Sequence, residues 1–291
     1  MSPRHDIALF RKLNEEYADN RLVPAPRRTT GDALQRQAIS RAKWVDRRLQ
    51  LRGQRVLEIG AGRGHFCDVL ASDYDCEVVG VDITRYETWS EFTSGCDLRV
   101  HDVTEQELAS LGTFDRIVSF AVFEHIERPY EGLAAMHELL RPGGKAYFSA
   151  NLYRGPKASH RYREVYFPFP HLLFDDEVFA EFYESTRFSH RAPAWVNRLT
   201  AAQYREKVAE LGFTVVEQWT DRTPLDRDFF ERFRDVLGRY PVDDLETDFL
   251  HLVLQKQPTR VDRVIESARG VAHDARRLVY RARRRAKRLL S

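Results

Sequence analysis

Several acidic residues follow short apolar runs in the first half of the chain, and these residues are the best candidates for binding a ligand. Glu58 precedes a loop with glycine at every second position, Gly60, Gly62 and Gly64. This spacing differs from the GxGxxG pattern that binds a dinucleotide pyrophosphate, and the loop lacks the Gly-Lys-Ser/Thr end of a P-loop. An acidic residue before the loop repels a pyrophosphate but attracts an amino group. The loop is therefore predicted to bind a ligand that carries a cation.

Three further carboxylates, Asp82, Asp102 and Glu124, follow the next apolar runs. Asp82 stands 22 residues after Gly60, where a carboxylate can accept hydrogen bonds from both hydroxyl groups of a ribose. Glu124 is followed by His125, whose imidazole, with an ordinary pKa of about 6.5, suits a general base at neutral pH. The acidic residues and the histidine therefore mark candidate positions for binding and for proton transfer.

The elements that must position these residues alternate between predicted strands and helices. The run 114–123 is almost continuously apolar, as expected for a parallel strand buried on both faces. Alternation of this kind indicates right-handed βαβ crossovers and a parallel, doubly wound sheet, whose ligands lie beyond the carboxyl ends of the strands. Strands are predicted at 55–59, 76–81, up to about 101, 114–123 and 145–152, with helices at 32–50, 65–74 and 130–140.

The second half of the chain is predicted to complete the sheet. A helix at 201–211, a strand at 213–219, a helical stretch near 228–238 and a strand at 247–255 add a final antiparallel pair. The predicted fold is α/β, a doubly wound, mainly parallel seven-stranded sheet of Rossmann-like type. The predicted organisation is an N-terminal helical segment at 1–52, a main domain at 53–258 with an inserted cap at about 153–198, and a basic C-terminal helix at 259–291.

At this point the sequence resembles the class I S-adenosylmethionine (SAM)-dependent methyltransferases of the type 11 kind. The matching segments are VLEIGAGRGHF (56–66), VVGVDIT (78–84), HDVTE (101–105), FDRIVSFAVFEHIERP (114–129) and LLRPGGKAYFS (139–149). The resemblance implies SAM as the cofactor and methyl transfer as the activity. It implies a cofactor site made of Glu58, Gly60, Ala61, Gly62, Gly64, Asp82, Ile83, Asp102, Val103, Phe120 and Glu124.

Within this implied site, Glu58 and the loop backbone would hold the methionine portion and Asp82 the ribose. Asp102 would accept from the adenine amine, although it also suits the N-cap of a following helix. Ile83 would pack on the adenine ring, or equally within an ordinary core. His125 would lie beside the methyl group as a base, or line the pocket, because this motif occurs in family members with unrelated substrates.

The insertion at 153–198 is rich in aromatic residues, arginine and histidine, and it is predicted to bind the acceptor. Such a surface suits a polar molecule such as a sugar, through ring stacking and charge-assisted hydrogen bonds, unless its rings only pack the insertion onto the sheet. No metal is predicted, because Asp175, Asp176 and Glu177 fit the start of a helix. The candidates are His160 and His171 as further catalytic residues, and Arg161, Tyr162, Tyr166 and Trp195 for the acceptor.

The overall charge of +2 is unevenly distributed along the chain. Residues 259–291 contain eleven Lys and Arg against three Asp and Glu, a net charge of +8, so residues 1–258 carry −6. A basic amphipathic helix in the tail would bind an anionic membrane surface or nucleic acid, or would pack on another subunit. Nucleic acid is the least favoured partner, because the body is acidic.

The sequence has no apolar run long enough to span a bilayer and no signal-peptide core. Its three cysteines form no metal-binding pattern. A cytoplasmic protein is therefore expected, with peripheral contact at the inner membrane face. The leading functional hypothesis is O-methylation of a glycan or lipid-linked acceptor. The alternatives are methylation of a small metabolite in a biosynthetic pathway, and a SAM-binding interaction module without transfer activity.

Overall fold

A seven-stranded sheet forms the centre of the part of the chain that the structure, a computed structural model, describes: residues 3–23, 30–105, 107–184 and 195–258. The strands are β1 (Arg55–Ile59), β2 (Glu77–Asp82), β3 (Asp97–Val100), β4 (Phe114–Phe120), β5 (Leu140–Asn151), β6 (Phe213–Arg222) and β7 (Thr247–Lys256). Their order is β3-β2-β1-β4-β5-β7-β6. Neighbours from β3 to β5 are parallel, and β7 is antiparallel to both β5 and β6. The predicted sheet, including its final antiparallel pair, is confirmed.

Helices cover both faces of this sheet, and local capping residues define where several of them begin. The Thr30 side chain accepts from the backbone amide of Ala33, and Thr200 and Gln203 form a reciprocal capping box. The described α-helices are α1 (Ile7–Glu16), α2 (Gly31–Leu49), α3 (His65–Asp73), α4 (Pro129–Leu139), α5 (Pro170–Leu173), α6 (Asp176–Glu184), α7 (Ala201–Glu210), α8 (Arg227–Arg232), α9 (Arg234–Leu237) and α10 (Val242–Glu246).

Alternate residues along the parallel strands are buried in two different cores. Leu57 and Ile59 of β1 pack on one face, in a cluster that includes residues of α4 and α7. Val56, which precedes Leu57, packs on the other face with residues of α2 and α3. Because side chains alternate across a strand, Glu58 belongs to the α2 and α3 face. This placement decides which helices meet the first acidic residue of the predicted site.

The predicted boundaries of two strands are wrong by a few residues. The fourth strand, predicted to run to Phe123, ends at Phe120 because Ala121 adopts a left-handed backbone with φ 53°. Glu124 and His125 therefore lie on a 3₁₀ turn, Phe123–His125, beyond the strand end. The fifth strand begins five residues early, at Leu140, because residues 141–144, which separate the predicted helix from the predicted strand, belong to a strand whose pairing with β4 shifts register.

A third hydrophobic cluster lies outside the sheet and joins three segments of the chain. Phe10 and Leu13 of α1 pack against residues of the 153–198 insertion, such as Phe167 and Phe179, and against Phe229 of α8. The insertion is therefore held by α1 and by the segment between β6 and β7, with which its described residues share one core.

The tail predicted to form a basic helix, 259–291, lies outside the described residues, as do residues 185–194 of the insertion. Within the described part of the chain, no helix combines the length and the apolar character that a membrane span requires.

Candidate functional site

The glycine loop turns sharply beside the end of β4. Gly60, Gly62 and Gly64 all have positive φ, of 77°, 50° and 81°, a region that glycine adopts without strain. The amides of Gly60 and Ala61 both donate to the carbonyl of Val81, at 2.8 and 2.9 Å. A Cβ on Gly60 would lie 2.2 Å from Cγ2 of Val122, so the loop packs against the side chain of the residue that precedes the Phe123–His125 turn. The structure thus brings the loop and this turn together, at the point where the sheet order reverses between β1 and β4.

Asp82 holds the loop from the end of the neighbouring strand. Its Oδ2 accepts from the Gly62 amide at 2.8 Å, and its Oδ1 accepts from the Thr84 amide at 3.0 Å. The carboxylate retains further lone pairs for a diol, since each oxygen has two. Ile83, the next residue, exposes 73% of its surface, which leaves an apolar side chain open beside this carboxylate.

Glu58 is buried beneath the loop, on the α2 and α3 face. The Cys67 thiol donates to its Oε2 at 3.0 Å. Burial raises the pKa of Glu58 to about 8, and the Cys67 hydrogen bond and the charge of Arg41 offset this rise only in part. Arg41 also lies over the Phe120 ring, 4.5 Å from its centroid. Neither Cys67 nor Arg41 belongs to the motif, so the sequence did not identify these partners.

A Glu58→Gln substitution is expected to change how stability depends on pH. The raised pKa means that, between pH 4.5 and about 8, Glu58 keeps a proton in the folded state that it has released in the unfolded state. Burial of Glu58 therefore destabilises the protein least at low pH, where the carboxyl group is neutral, and the free energy of unfolding falls as pH rises through this window. Relative to the variant, the wild type should lose on the order of 2 kcal/mol between pH 5 and 8, because water penetration moderates the full burial penalty.

Urea unfolding of both proteins at the two pH values measures this difference. The control is Glu77→Gln, which removes an exposed carboxylate that pairs with Arg55 at 2.8 Å. Its pH profile should follow the wild type. A Glu58→Gln profile that also followed the wild type would contradict the burial argument.

The other predicted cofactor residues line the same edge of the sheet. Asp102 is half-buried, and its Oδ1 accepts from both the amide and the hydroxyl of Thr104, each at 2.8 Å. The carboxylate therefore stabilises a turn in the way that an N-cap residue does, although the described residues 103–105 form a turn and not the start of a helix. Val103 is buried in the core, and Phe120 is half-buried, with its ring 5.1 Å from that of Phe66.

Glu124, His125 and His160 form a cluster just beyond the glycine loop. A carboxylate oxygen and one ring nitrogen from each histidine lie within 4.8 Å of one another. The two imidazole rings meet edge to face, with centroids 4.8 Å apart. His125 is exposed, His160 is half-buried and Glu124 is fully buried. The structure therefore gathers two of the three predicted catalytic histidines around a carboxylate predicted only as a cofactor residue.

Burial controls the protonation of this cluster. It raises the pKa of Glu124 to about 7, an effect that the nearby amides of Glu124 and Asn151 offset only in part. No described residue donates a hydrogen bond of normal geometry to either carboxylate oxygen. Burial, together with the nearby His125, lowers the pKa of His160 to about 4, so that this ring is neutral at pH 7.

Two asparagines that the sequence did not single out position the cluster. Asn151, at the end of β5, donates from Nδ2 to the carbonyl of Asp248 at 2.7 Å and presents Oδ1 to His160 Nε2 at 3.1 Å. Asn197 donates from its backbone amide to the carbonyl of Glu124 and from Nδ2 to that of Phe123, both at 2.7 Å. Asn151 follows the apolar part of β5 as the carboxylates follow theirs, and could have been found by that signal. Asn197 does not end a predicted strand, so the sequence offers no comparable signal for it.

The four acceptor candidates differ in what they contact. Tyr166 lies under Arg21, whose guanidinium is 4.0 Å from the ring centroid, so it contacts the N-terminal segment. Trp195 exposes 56% of its surface, and only its carbonyl reaches the cluster, accepting from His125 Nδ1 at 2.9 Å. Arg161 and Tyr162 are half-buried next to His160 in the chain.

His171 lines a cleft of about 650 Å³ in the insertion, and its charge acts on His160 of the cluster. Its Nε2 donates to the carbonyl of Tyr153 at 2.7 Å, and burial lowers its pKa to about 4. The catalytic role of His171 stays a prediction. The cleft is also lined by Arg4, Arg198, Tyr240 and the acidic residues Asp175, Asp176 and Glu177.

Comparison with known proteins identifies relatives of the whole region that builds this site. A family model described as methyltransferase domain matches residues 31–218. Ubiquinone biosynthesis O-methyltransferases of Aromatoleum aromaticum and Pseudomonas aeruginosa are 33% and 30% identical over 115 and 124 residues. These matches cover 38% and 40% of this chain and 49% and 53% of the relatives, so the chain spans about half the length of these curated proteins.

Among solved structures, a Listeria monocytogenes protein described as a SAM-dependent methyltransferase has a similar fold, with a TM-score of 0.50 at 15% identity. The match covers 76% of this chain and 99% of the Listeria chain. The match shows that the two chains share a fold.

Proposed function

The chain belongs to the family described as methyltransferase domain, and from that premise we propose that it transfers a methyl group from SAM to a hydroxyl oxygen of a small polar metabolite. The chain is a SAM-dependent methyltransferase, in agreement with the resemblance seen in its sequence. What the proposal adds is the acceptor: its atom, its size and its position in the site.

The residues at the strand ends fit the cofactor. Glu58 supplies a buried carboxylate near the loop for an ammonium group, and glycines leave room for close approach of the ligand to the backbone. Asp82 offers acceptor lone pairs for a ribose diol, and Ile83 offers an exposed apolar face for an aromatic ring. When bound, SAM supplies an electrophilic methyl group on a sulfonium, whose C–S electrons return to sulfur as the acceptor oxygen forms the new C–O bond and loses its proton.

The observation that carries the proposal is the cluster of Glu124, His125 and His160 beside the glycine loop. An oxygen acceptor must lose a proton as it takes the methyl group, and groups that bind the oxygen and assist this loss have to lie next to the reacting atom. The cluster lies beyond β4, on a turn whose preceding residue, Val122, contacts Gly60. It therefore adjoins the place where the loop would present the methyl group.

The relatives favour a small acceptor over a glycan or lipid-linked one. The curated proteins that match over about 120 residues are named O-methyltransferases of ubiquinone biosynthesis, which favours a metabolite as the acceptor and oxygen as the methylated atom. The glycan hypothesis rested on the aromatic insertion, yet Tyr166 contacts the N-terminal segment and only the backbone of Trp195 reaches the cluster. The membrane hypothesis rests on residues 259–291, outside the described residues. The non-catalytic alternative is less favoured, because the loop, Asp82 and the cluster are all present.

The test is transfer of tritiated methyl from SAM to fractionated extracts of the source cells by the full chain. Label is expected in the small-molecule fraction, on a carbon bonded to oxygen when the product is characterised by NMR. His125→Ala should abolish labelling, by about 100-fold or more, while SAM affinity changes less than about threefold. Label in lipid or polysaccharide, or on nitrogen or carbon, would overturn the acceptor. Equal losses of SAM affinity and transfer in His125→Ala would assign that histidine to the cofactor pocket.

A further inference from the structure

We propose that Glu124, His125 and His160 bind a divalent transition-metal ion of the Zn²⁺ or Mn²⁺ class. Two imidazoles and one carboxylate are a ligand set that such ions favour, and the three groups come from two segments that the fold brings together. No metal was predicted from the sequence. The acidic residues weighed as metal ligands there were Asp175, Asp176 and Glu177, which fit the start of a helix and are not part of this cluster. Among the ligands proposed here, Glu124 and His125 are adjacent and His160 lies 35 residues after His125, a spacing that matches no metal-binding motif.

The distances among the ligand atoms are close to those of a bound site. They all lie within 4.8 Å of one another. Ligand atoms about 2.0 to 2.2 Å from a tetrahedral ion are separated by roughly 3.3 to 3.6 Å. The atoms therefore need to approach by at most about 1.5 Å, which rotation about side-chain bonds can supply. His125 is exposed, so its ring has room for this movement.

Hydrogen bonds fix both histidines in the tautomers that a metal requires. His125 Nδ1 lies 2.9 Å from the Trp195 carbonyl, which can only accept, so Nδ1 carries the hydrogen and Nε2 keeps its lone pair. The Asn151 amide is oriented by its bond to Asp248, so its Oδ1 accepts from His160 Nε2, and His160 Nδ1 keeps its lone pair. Histidines that bind metals characteristically donate their other ring N–H to a carbonyl or carboxylate oxygen.

Glu124 supplies the second, independent observation. It is 0% exposed, and although the backbone amides of Glu124 and Asn151 lie near it, no described residue donates a hydrogen bond of normal geometry to either carboxylate oxygen. A buried carboxylate without a partner is costly, and buried charges in proteins are normally paired or coordinate a metal. The two neighbouring imidazoles donate their N–H groups elsewhere, to Trp195 and Asn151. A cation bound between the three groups satisfies the carboxylate.

The ion gives the proposed function a more specific acceptor chemistry. Three protein ligands leave at least one coordination position open, as in catalytic metal sites. An acceptor hydroxyl at that position would be oriented toward the glycine loop and would release its proton to solvent water more readily, with the histidines acting as ligands. This consequence rests on the proposed function. Binding of the ion does not, because its ligands are all present without the cofactor or the acceptor.

Metal binding to the full chain, treated with chelator and then dialysed, tests the proposal without any transfer reaction. Isothermal titration with ZnCl₂, in the absence of SAM and acceptor, should show one site per chain with a Kd in the micromolar range or below. Titration with CoCl₂ should give visible absorption bands of a coordinated ion with nitrogen and oxygen ligands. His125→Ala and Glu124→Gln should each weaken binding by about 100-fold, since each removes a ligand.

The matched control is His5→Ala, which removes another exposed histidine beside a carboxylate, Asp175 at 3.4 Å. It should bind zinc as the wild type does. SAM affinity and thermal unfolding of each variant verify that it is folded, and exposed His125 makes its variant the safest to interpret. Absence of a single-site isotherm, or equal zinc affinity in the wild type and in a folded His125→Ala, overturns the site. Labelling that persists in chelator would overturn the part of the ion in transfer, whereas zinc binding without any O-methylation would overturn the proposed function alone.

Discussion

A Gly60→Ala variant is expected to bind SAM about 100-fold more weakly than the wild type and to lose methyl transfer at least as strongly. The added Cβ would lie 2.2 Å from Cγ2 and 2.9 Å from Cγ1 of Val122, far inside van der Waals contact. The residue also has φ 77°, where a side chain costs about 1 to 2 kcal/mol. The loop or the β4 exit must therefore shift, and either shift separates the loop from the Glu124 cluster. Isothermal titration with SAM measures the first effect, and a single-turnover labelling assay measures the second.

Gly62→Ala provides the matched control within the same loop. Gly62 also has positive φ, 50°, but nothing lies within 4 Å of a Cβ added there. This variant should therefore show only the backbone strain, with a loss of SAM affinity of about tenfold. If the two variants bound SAM equally well, the contact between the loop and Val122 would not matter for the site, and the steric argument would be wrong.

A Phe10→Ala variant is expected to lower the free energy of unfolding by about 3 to 5 kcal/mol. Phe10 is 0% exposed, and its ring centroid lies 4.9 to 5.2 Å from those of Phe167, Phe174, Phe179 and Phe182. Removing it leaves a cavity where α1 meets the insertion. Because this cluster lies apart from the sheet, the loss should begin in the insertion, and urea unfolding should broaden or separate into two transitions.

The same variant separates the role of the insertion from that of the sheet. SAM affinity should remain within about threefold, since the proposed cofactor residues lie at the strand ends, while transfer to acceptor should fall because His160 belongs to the insertion. Lys12→Ala, on the exposed face of α1, should change stability by less than about 0.5 kcal/mol. A Phe10→Ala protein as stable as Lys12→Ala would show that α1 does not hold the insertion.

The cofactor side of the site was largely predictable from the sequence, because its signals are local. Glu58 with its glycines, and Asp82, follow apolar runs at short, regular spacing, and parallel strands align their carboxyl ends by geometry alone. The structure places these residues together, with the Asp82 carboxylate bonded to the Gly62 amide. Their roles toward SAM remain predictions. The exit of β4 was not predicted correctly, because the apolar run continues through Ala121 while the backbone turns left-handed there.

The acceptor side depended on contacts that no local pattern encodes. His125 was recognisable as a candidate, but its tautomer depends on Trp195, 70 residues later in the chain, and on a segment that Asn197 fastens to the Phe123–His125 turn. Glu124 looked like a residue of the cofactor pocket. Only its burial without a partner, next to His160, points to a ligand of its own.

The sequence by itself determined the sheet, the family and the position of the glycine loop, since strand periodicity, glycine spacing and strand-end carboxylates are properties of short segments. The tertiary structure decided which of the three histidines meet, which carboxylate they share, and that Tyr166 lies against the N-terminal segment. The physical reason is that these outcomes depend on packing between distant segments, through the Phe10 cluster and the Asn151 and Asn197 hydrogen bonds. Such contacts bring together functional side chains, such as His125 and His160, that are far apart along the chain.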